Sequence, residues 1–321
     1  MSHPAYRISV NKAVDRCLFM DLIRFVERLN FLNINETEYY SLGGPFLLDL
    51  QLVHSNYPFL QLNSIEEDEN TFLRQQKHVF CKNLKLFNKT SSNFINETEF
   101  DKTAIFWLDY TKLTKAHLDD LALLASKLLS GSIIKITFNA SPPYKPIHDN
   151  KDAALLNFKQ KFSSYMPAGI LDFSDISEGD RFCLLAIEMV KYAASSLLRE
   201  NREKLCFEFC DVVTYSDSSP MMSISGILLP QAERPKLQDA LEKQMFFSPK
   251  TPQEINMPDL SILERHRINQ LLPTEDVNEL FRALGYPLER EEKEPWEKSL
   301  NKLRLYSRFW HRYPEFVKIS L

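Results

Sequence analysis

Residues 38–54 read EYYSLGGPFLLDLQLVH, and the way this stretch is read decides the fold around it. The tyrosine-rich run 38–42 has the composition of a short strand. It runs into Gly43-Gly44-Pro45. FLLDLQLVH (46–54) then resumes as a helix, with Pro45 tolerated near its first turn. The chain holds 7 glycines in 321 residues, about 2% against a usual ~7%. An adjacent pair in so glycine-poor a chain marks a constrained backbone corner between strand and helix.

Outward from that corner the same alternation repeats. Val14, Leu18, Leu22, Val26 and Leu29 recur every three or four positions and predict an amphipathic helix over 11–29. FLQLNSIEEDE (59–69) is a second strand ending on acidic residues, followed by a polar helix near 69–79. NLKLFN (83–88) and TAIFWLDY (103–110) are the third and fourth strands, the latter apolar enough to be buried on both faces. Thr114 caps a helix that shows Leu121, Leu124, Ala125 and Leu128 on one side and stops at Gly131. SIIKITFNA (132–140) is a fifth strand. A loop-rich stretch follows, then a helical stripe through Phe182, Ala186, Met189, Val190, Ala193 and Leu197. LCFEFCDVVTY and MMSISGILL flank the turn SDSSP as an antiparallel hairpin. The pattern predicts an α/β fold: a mostly parallel, doubly wound Rossmann-like sheet over roughly 30–230, closed by a terminal antiparallel hairpin. Residues 1–230 form that domain together with the N-terminal helix. Residues 231–321, charged and interrupted by proline, form a mostly helical C-terminal subdomain.

Bulk properties set limits. With 44% hydrophobic and 26% charged residues the composition is that of a globular protein. A net charge of −4 argues against a surface built wholly for phosphate backbones. The N-terminus lacks the apolar core of a signal peptide, and no run is long enough to span a bilayer. Cys17, Cys81, Cys183, Cys206 and Cys210 are odd in number and scattered, as expected of reduced thiols in a cytoplasmic protein. His54 and His148 have no partner spacing typical of metals, so no metal site is expected.

In a doubly wound sheet, ligands bind beyond the carboxyl ends of the strands. Four features collect there. Gly43 and Gly44 offer bare backbone ahead of a helix N-terminus. Glu66, with Glu67 behind it, ends the second strand and can accept both hydroxyls of a ribose. Thr90 lies in the loop after the third strand, where an adenine is commonly edged. Asp109 and Tyr110 end the fourth strand, where a reacting group would lie. A dinucleotide requires three spaced glycines, and Pro45 and Leu48 stand where the second and third would be. No Gly-Lys-Ser/Thr of a phosphate loop occurs either. S-adenosylmethionine, a nucleoside without phosphate, fits a shorter glycine turn plus an acid on strand two.

The segments YRISVNKAVDR, YYSLGGPFLLDLQLVH, NSIEEDE, AIFWLDY and GSIIKITFNA resemble a bacterial family described as "putative O-methyltransferase". The likeness extends to PDLSILERHRINQLLP and the closing RLYSRFWHRYPEF, and so covers most of the chain. It implies the Rossmann-like, S-adenosylmethionine-dependent methyltransferase class, whose last strand is antiparallel. It also implies a place among bacterial phage-defence genes. Ordinary methyltransferases carry an acid two places before the first glycine, against the amino-acid end of the cofactor. Here that place is Ser41, and Asp49 in the following helix is the substitute within reach.

Each candidate also has a plainer reading. Asp109 and Tyr110 can serve the reaction centre, or simply close a strand. Glu66 is a ribose ligand or a solvated acidic turn. Lys12 and Arg16, one helical turn apart, face an anionic ligand or form a solvated helix edge. Ser141-Pro142-Pro143-Tyr144 resembles the base-pocket quartet of amino-methyltransferases, but it follows the fifth strand rather than the fourth and reads as a turn. Arg304, Arg308 and Arg312, interleaved with Tyr306, Phe309, Trp310 and Tyr313, can grip nucleic acid or form an amphipathic helix docked by its aromatics. The expected function is an S-adenosylmethionine-dependent methyltransferase acting on a hydroxyl or other nucleophilic group of an unknown acceptor, small molecule or macromolecule. Its rivals are a catalytically silent nucleoside-binding relative, acting as a sensor or partner subunit, and a nucleic-acid methylase.

Overall fold

The computed structural model describes residues 9–167, 169, 171–198, 204–216, 219–274, 276–288 and 294–314. Eight strands form one sheet: β1 (Thr37–Ser41), β2 (Gln61–Glu66), β3 (Leu84–Asn88), β4 (Thr103–Asp109), β5 (Ile133–Asn139), β6 (Leu205–Ser216), β7 (Pro220–Pro230) and β8 (Gln253–Ile255). Their order is β3-β2-β1-β4-β5-β7-β6-β8. Strands β1 to β5 pair in parallel, and β7 runs antiparallel to both β5 and β6. This is the expected Rossmann-like methyltransferase sheet with its terminal hairpin. The edge strand β8, parallel to β6, was not foreseen; three residues of it carry no readable alternation.

The helices are α1 (Val10–Arg28), α2 (Leu48–Asn56), α3 (Glu69–Lys77), α4 (Ser91–Glu97), α5 (Lys115–Lys127), α6 (Lys151–Lys161), α7 (Gly179–Ser196), α8 (Arg234–Glu242), α9 (Ile262–Asn269), α10 (Val277–Leu284) and α11 (Pro295–Phe309). Among the described residues no helix is long and apolar enough to cross a membrane. One sheet face, with Phe106, Leu108, Ile134, Ile136 and Phe138, packs on α4, α5 and α7. The other, with Tyr39, Leu62, Ile105, Trp107 and Ile227, packs on α1, α2 and α8. The segment after β7 is tied to the rest of the molecule. It supplies β8, and Ile268, Leu280, Leu303, Tyr306 and Phe309 of α9 to α11 share a core with Val14 and Leu18 of α1.

Three helices differ from expectation, among them the short α4, which follows β3 where only a loop was read. Residues 46 and 47 are not helical: Leu47 takes a left-handed conformation (φ 54°), its amide bonds the Gly44 carbonyl at 3.1 Å, and α2 starts at Leu48. The stretch between β5 and α7 contains α6, which buries only Ala154 and Phe158 and so shows no strong stripe.

The face beneath α1 is not wholly apolar. Strand register aligns Trp107, Lys135, Ser225 and Asp211 in one row across the sheet, and Asp109, Thr137 and Ser223 in the next. Helix α1 answers with charge. Asp15 meets the Lys135 ammonium at 2.7 Å, with both side chains at most 2% exposed. Ser223 Oγ donates to Asp15 at 3.1 Å, and Trp107 lies under the ammonium at 4.2 Å. Burial lowers the Lys135 pKa, and Asp15 opposes that shift. Burial likewise pushes Asp211 up to about 7, although its carboxylate accepts from Ser248 N at 2.9 Å and Gln253 Nε2 at 2.6 Å.

Removing one member of a buried pair strands the other charge, at a cost of about 3–5 kcal/mol. Asp15→Ala should therefore lose roughly that much stability in urea unfolding. Adding Lys135→Met to it should recover a large part of the loss. A neutral single substitution would mean the pair does not hold α1.

Candidate functional site

The carboxyl edge of β1 leads through Leu42, whose amide bonds the Trp107 carbonyl at 3.2 Å, into the glycine pair. The two glycines do different work. A Cβ on Gly43 would collide with Ser64 Oγ and stand 3.3 Å from both Gln75 Nε2 and the Leu47 side chain. Gln75, buried on α3, donates to the Gly43 carbonyl and accepts from Ser64 Oγ at 3.0 Å. Gly43 is thus bare because the protein's own side chains fill the space. Gly44 is exposed and has nothing within 4 Å of its missing Cβ, so it alone of the pair opens outward.

Helix α1 starts at this edge. Ser9 caps it by accepting from the Lys12 amide at 3.1 Å. Lys12, with its side chain 2% exposed, places its ammonium 2.7 Å from Asp109. One turn later Arg16 pairs with Asp49 at the start of α2. Burial works against the Arg16 charge, but Asp49, helped by Asp109, more than offsets it and raises the pKa. Burial also opposes the Asp49 charge, yet Arg16 and Lys12 bring its pKa below the usual value. Lys12 and Arg16, readable from sequence as a solvated edge, are instead paired: Lys12 is buried against Asp109 and Arg16 is half-buried against Asp49.

Between these pairs, on the same face of β1, lie Tyr39 and Ser41. Tyr39 is 0% and Ser41 1% exposed; the two hydroxyls lie close enough for Ser41 to act on the phenol, and neither has a well-formed hydrogen bond to any other residue. Burial, then Asp49, raises the Tyr39 pKa, so this phenol stays protonated and is a donor. Each unmade bond of this kind costs about 1–3 kcal/mol. The two at this strand end can offset that cost only partly through each other.

The remaining predicted residues spread around this edge. Register pairs Ser41 with Ser64, so Glu66 is level with Gly43 on the neighbouring strand. Its carboxylate accepts from the Asp68 amide at 2.9 Å, and burial, helped by Asp68 and Glu67, raises its pKa. Glu67 is exposed. Thr90 caps α4 by accepting from the Asn93 amide at 3.1 Å.

Tyr110 points to the opposite face from Asp109. Its ring stacks on His117 at 3.8 Å and its hydroxyl donates to Asp120 at 3.0 Å. Ser91 and Ser92 hydroxyls reach the same carboxylate at 2.7 and 2.6 Å. Asp109 and Tyr110 are therefore not brought together. The Ser141 amide is held by Asn139 Oδ1 at 2.7 Å, a turn as expected. In the tail, Arg308 donates to the Met245 carbonyl at 2.6 Å and Arg312 pairs with Asp21. Arg304 is exposed, whereas Tyr306 and Phe309 are buried. Sequence reading passed over Gln75 and Tyr39. Gln75 sits in a helix that looks uniformly polar, and nothing in a tyrosine pair says which ring faces the ligand edge.

The contrast between the glycines is testable in stability alone. Gly43→Ala should cost about 1–3 kcal/mol by overpacking, part of it recovered when Ser64→Ala removes the colliding hydroxyl. Gly44→Ala should stay within about 0.5 kcal/mol of wild type. The same loss at both positions would contradict the assignment.

No curated protein matches the chain. Among solved structures, LepI in complex with S-adenosylmethionine is 12% identical over 60% of this chain, with a TM-score of 0.34, and the match spans 43% of LepI. A "putative rRNA-methylase" from Clostridium thermocellum is 9% identical over 64% of this chain and 93% of its own, at TM-score 0.36. The mitomycin 7-O-methyltransferase MmcR is 12% identical over 70% and 58%, at TM-score 0.33. Likenesses this faint carry no argument about chemistry. The family assignment rests on sequence: residues 4–321 match the family described as "Putative O-methyltransferase", and the chain belongs to that family.

Proposed function

We propose that the chain binds S-adenosylmethionine at the carboxyl edge of β1, β2 and β4 and directs its methyl to a hydroxyl acceptor. The observation that carries this reading is the pair of buried hydroxyls of Tyr39 and Ser41, which lie against each other and have no well-formed hydrogen bond to another residue, set between the Arg16–Asp49 and Lys12–Asp109 pairs. The amino-acid end of the cofactor is a zwitterion, and this nest matches it. Tyr39 and Ser41 donate to its carboxylate beside Arg16, while Asp49 and Asp109 receive its ammonium. The nest replaces the single acid that ordinary methyltransferases hold at the position of Ser41. Gly44 gives the nucleoside an open approach, Glu66 accepts the ribose hydroxyls once it turns from the Asp68 amide, and Thr90 borders the base.

When bound, the cofactor supplies a methyl on a sulfonium, reactive by in-line displacement. The protein's task is then mainly placement. Asp109, at the end of β4, is the polar group nearest that task.

A second reading, a relative that binds the nucleoside without turnover, is favoured by one feature. Lys12 already occupies Asp109 and Gln75 holds Gly43, so the edge is closed by its own side chains.

Calorimetry with S-adenosylhomocysteine tests both. Wild type should bind in the micromolar range, and Ser41→Ala, Gly44→Ala and Glu66→Gln should each weaken binding about tenfold, ~1.4 kcal/mol. The ribose contact needs ionised Glu66, whose pKa is raised. Affinity should therefore be full at neutral pH and fall with acidification, starting above the usual ~4.3 of a glutamate; Glu66→Gln should lack that limb. Absence of binding to wild type sinks the cofactor reading. Binding indifferent to all three substitutions moves the ligand elsewhere.

A further inference from the structure

A cavity of about 620 Å³ opens at the part of the carboxyl edge that the cofactor does not use. It lies where β5 ends, β6 ends, β7 begins and α7 starts, with β8 as its outer wall. The Ala140 amide bonds the Pro220 carbonyl at 2.9 Å across its floor. Asp109 is in register with Thr137 on the neighbouring strand, and Ala140 follows three residues later, so the cavity begins one strand over from Asp109 and about 10 Å beyond it in the strand direction. That position suits the second substrate of a reaction whose first occupies β1, β2 and β4.

The lining states what it accepts. Pro142, Leu184 and Met221 offer apolar walls, and Leu184 is 54% exposed although it lies at the cavity. Asp180 and Glu254 bring two carboxylates, while among the described residues no lysine, arginine or histidine lines the cavity. Arg181, next in sequence to Asp180, is turned to Asp172 and Asp175 at 3.0 and 2.8 Å. The N-terminus of α7 alone would favour an anion, but Asp180 in its first turn counters that field. Glu254 is steadied by Asn256 Nδ2 at 3.2 Å. An anion meets two like charges here, whereas an ammonium is drawn to both, each of them solvent-exposed.

We propose that this cavity binds the methyl acceptor, and that the acceptor is a small hydroxylated amine. Its cationic head lies between Asp180 and Glu254 and its apolar body against Pro142, Leu184 and Met221. That it is the acceptor, rather than another ligand, rests on the methyltransferase reading above. In the transfer the acceptor's hydroxyl oxygen bonds the methyl carbon as the carbon–sulfur bond breaks. The electron pair of that bond stays on sulfur, leaving a neutral thioether, and the hydroxyl proton passes to solvent.

The test uses three probes of one ring and three charges: tyramine, p-cresol and 4-hydroxyphenylacetate. Binding is read by calorimetry and by methyl NMR of Met221, with and without S-adenosylhomocysteine. Tyramine should bind at least tenfold tighter than p-cresol, and 4-hydroxyphenylacetate most weakly. The Asp180→Asn, Glu254→Gln double variant, altered at exposed positions, should abolish that order with an unchanged Tm. Equal binding of the three probes, or an order that survives the double substitution, overturns the proposal. Tyramine preference in a protein that fails to bind S-adenosylhomocysteine keeps the amine site and removes its role as acceptor site. Cofactor binding with no amine preference does the reverse.

Discussion

Lys135 stands on the central strand β5 with its side chain 1% exposed, and a buried ammonium there must be answered by charge. Asp15 of α1 answers it. That requirement fixes where α1 lies, because the helix must place Asp15 over β5 and β7. Once it does, Lys12 falls on Asp109 and Arg16 on Asp49, each about one turn from the other. The apolar residues of α1 supply most of its burial energy, Leu22 and Ile23 among them, each on the order of 1.5–3 kcal/mol. The charges supply its register. An apolar helix could slide along the sheet; one with three ionic partners cannot.

The consequence is that the helix is part of the candidate site rather than a cover beside it. Three cations, Lys12, Arg16 and Lys135, face four carboxylates, Asp15, Asp49, Asp109 and Asp211. The extra acid is the one whose pKa burial pushes up to about 7, so near neutrality much of it holds its proton. The network is close to neutral as it stands. A zwitterion, which adds no net charge, can enter it by sharing existing pairs, whereas a phosphate would leave an excess negative charge in a buried place.

Much of the fold was legible in the sequence because its central strands are unmistakable. TAIFWLD and IIKITFN are too apolar for anything but buried strands, and the glycine corner, the Thr114 cap and the hairpin punctuate the rest. What escaped reading was short or unpatterned. Helix α4 buries only Phe94 and Ile95, α6 only two residues, and β8 is three residues long. The site was half legible. The residue types at the strand ends pointed to a candidate edge, but Lys12 and Asp109 are 97 residues apart, and no local pattern predicts that a lysine on a helix edge will be buried against a distant aspartate. The same holds for Gly43: its bareness is visible in sequence, but that Gln75 and Ser64 fill the space is a fact of three dimensions.

The most direct measurement is a crystal structure of the protein with S-adenosylhomocysteine. The ligand's amino-acid end should lie within hydrogen-bond distance of Ser41 Oγ or Tyr39 Oη, with the Arg16–Asp49 pair shared or opened to receive it. A nucleoside bound with that end pointing away, both hydroxyls bonded only to water and both α1 ion pairs intact, would contradict it.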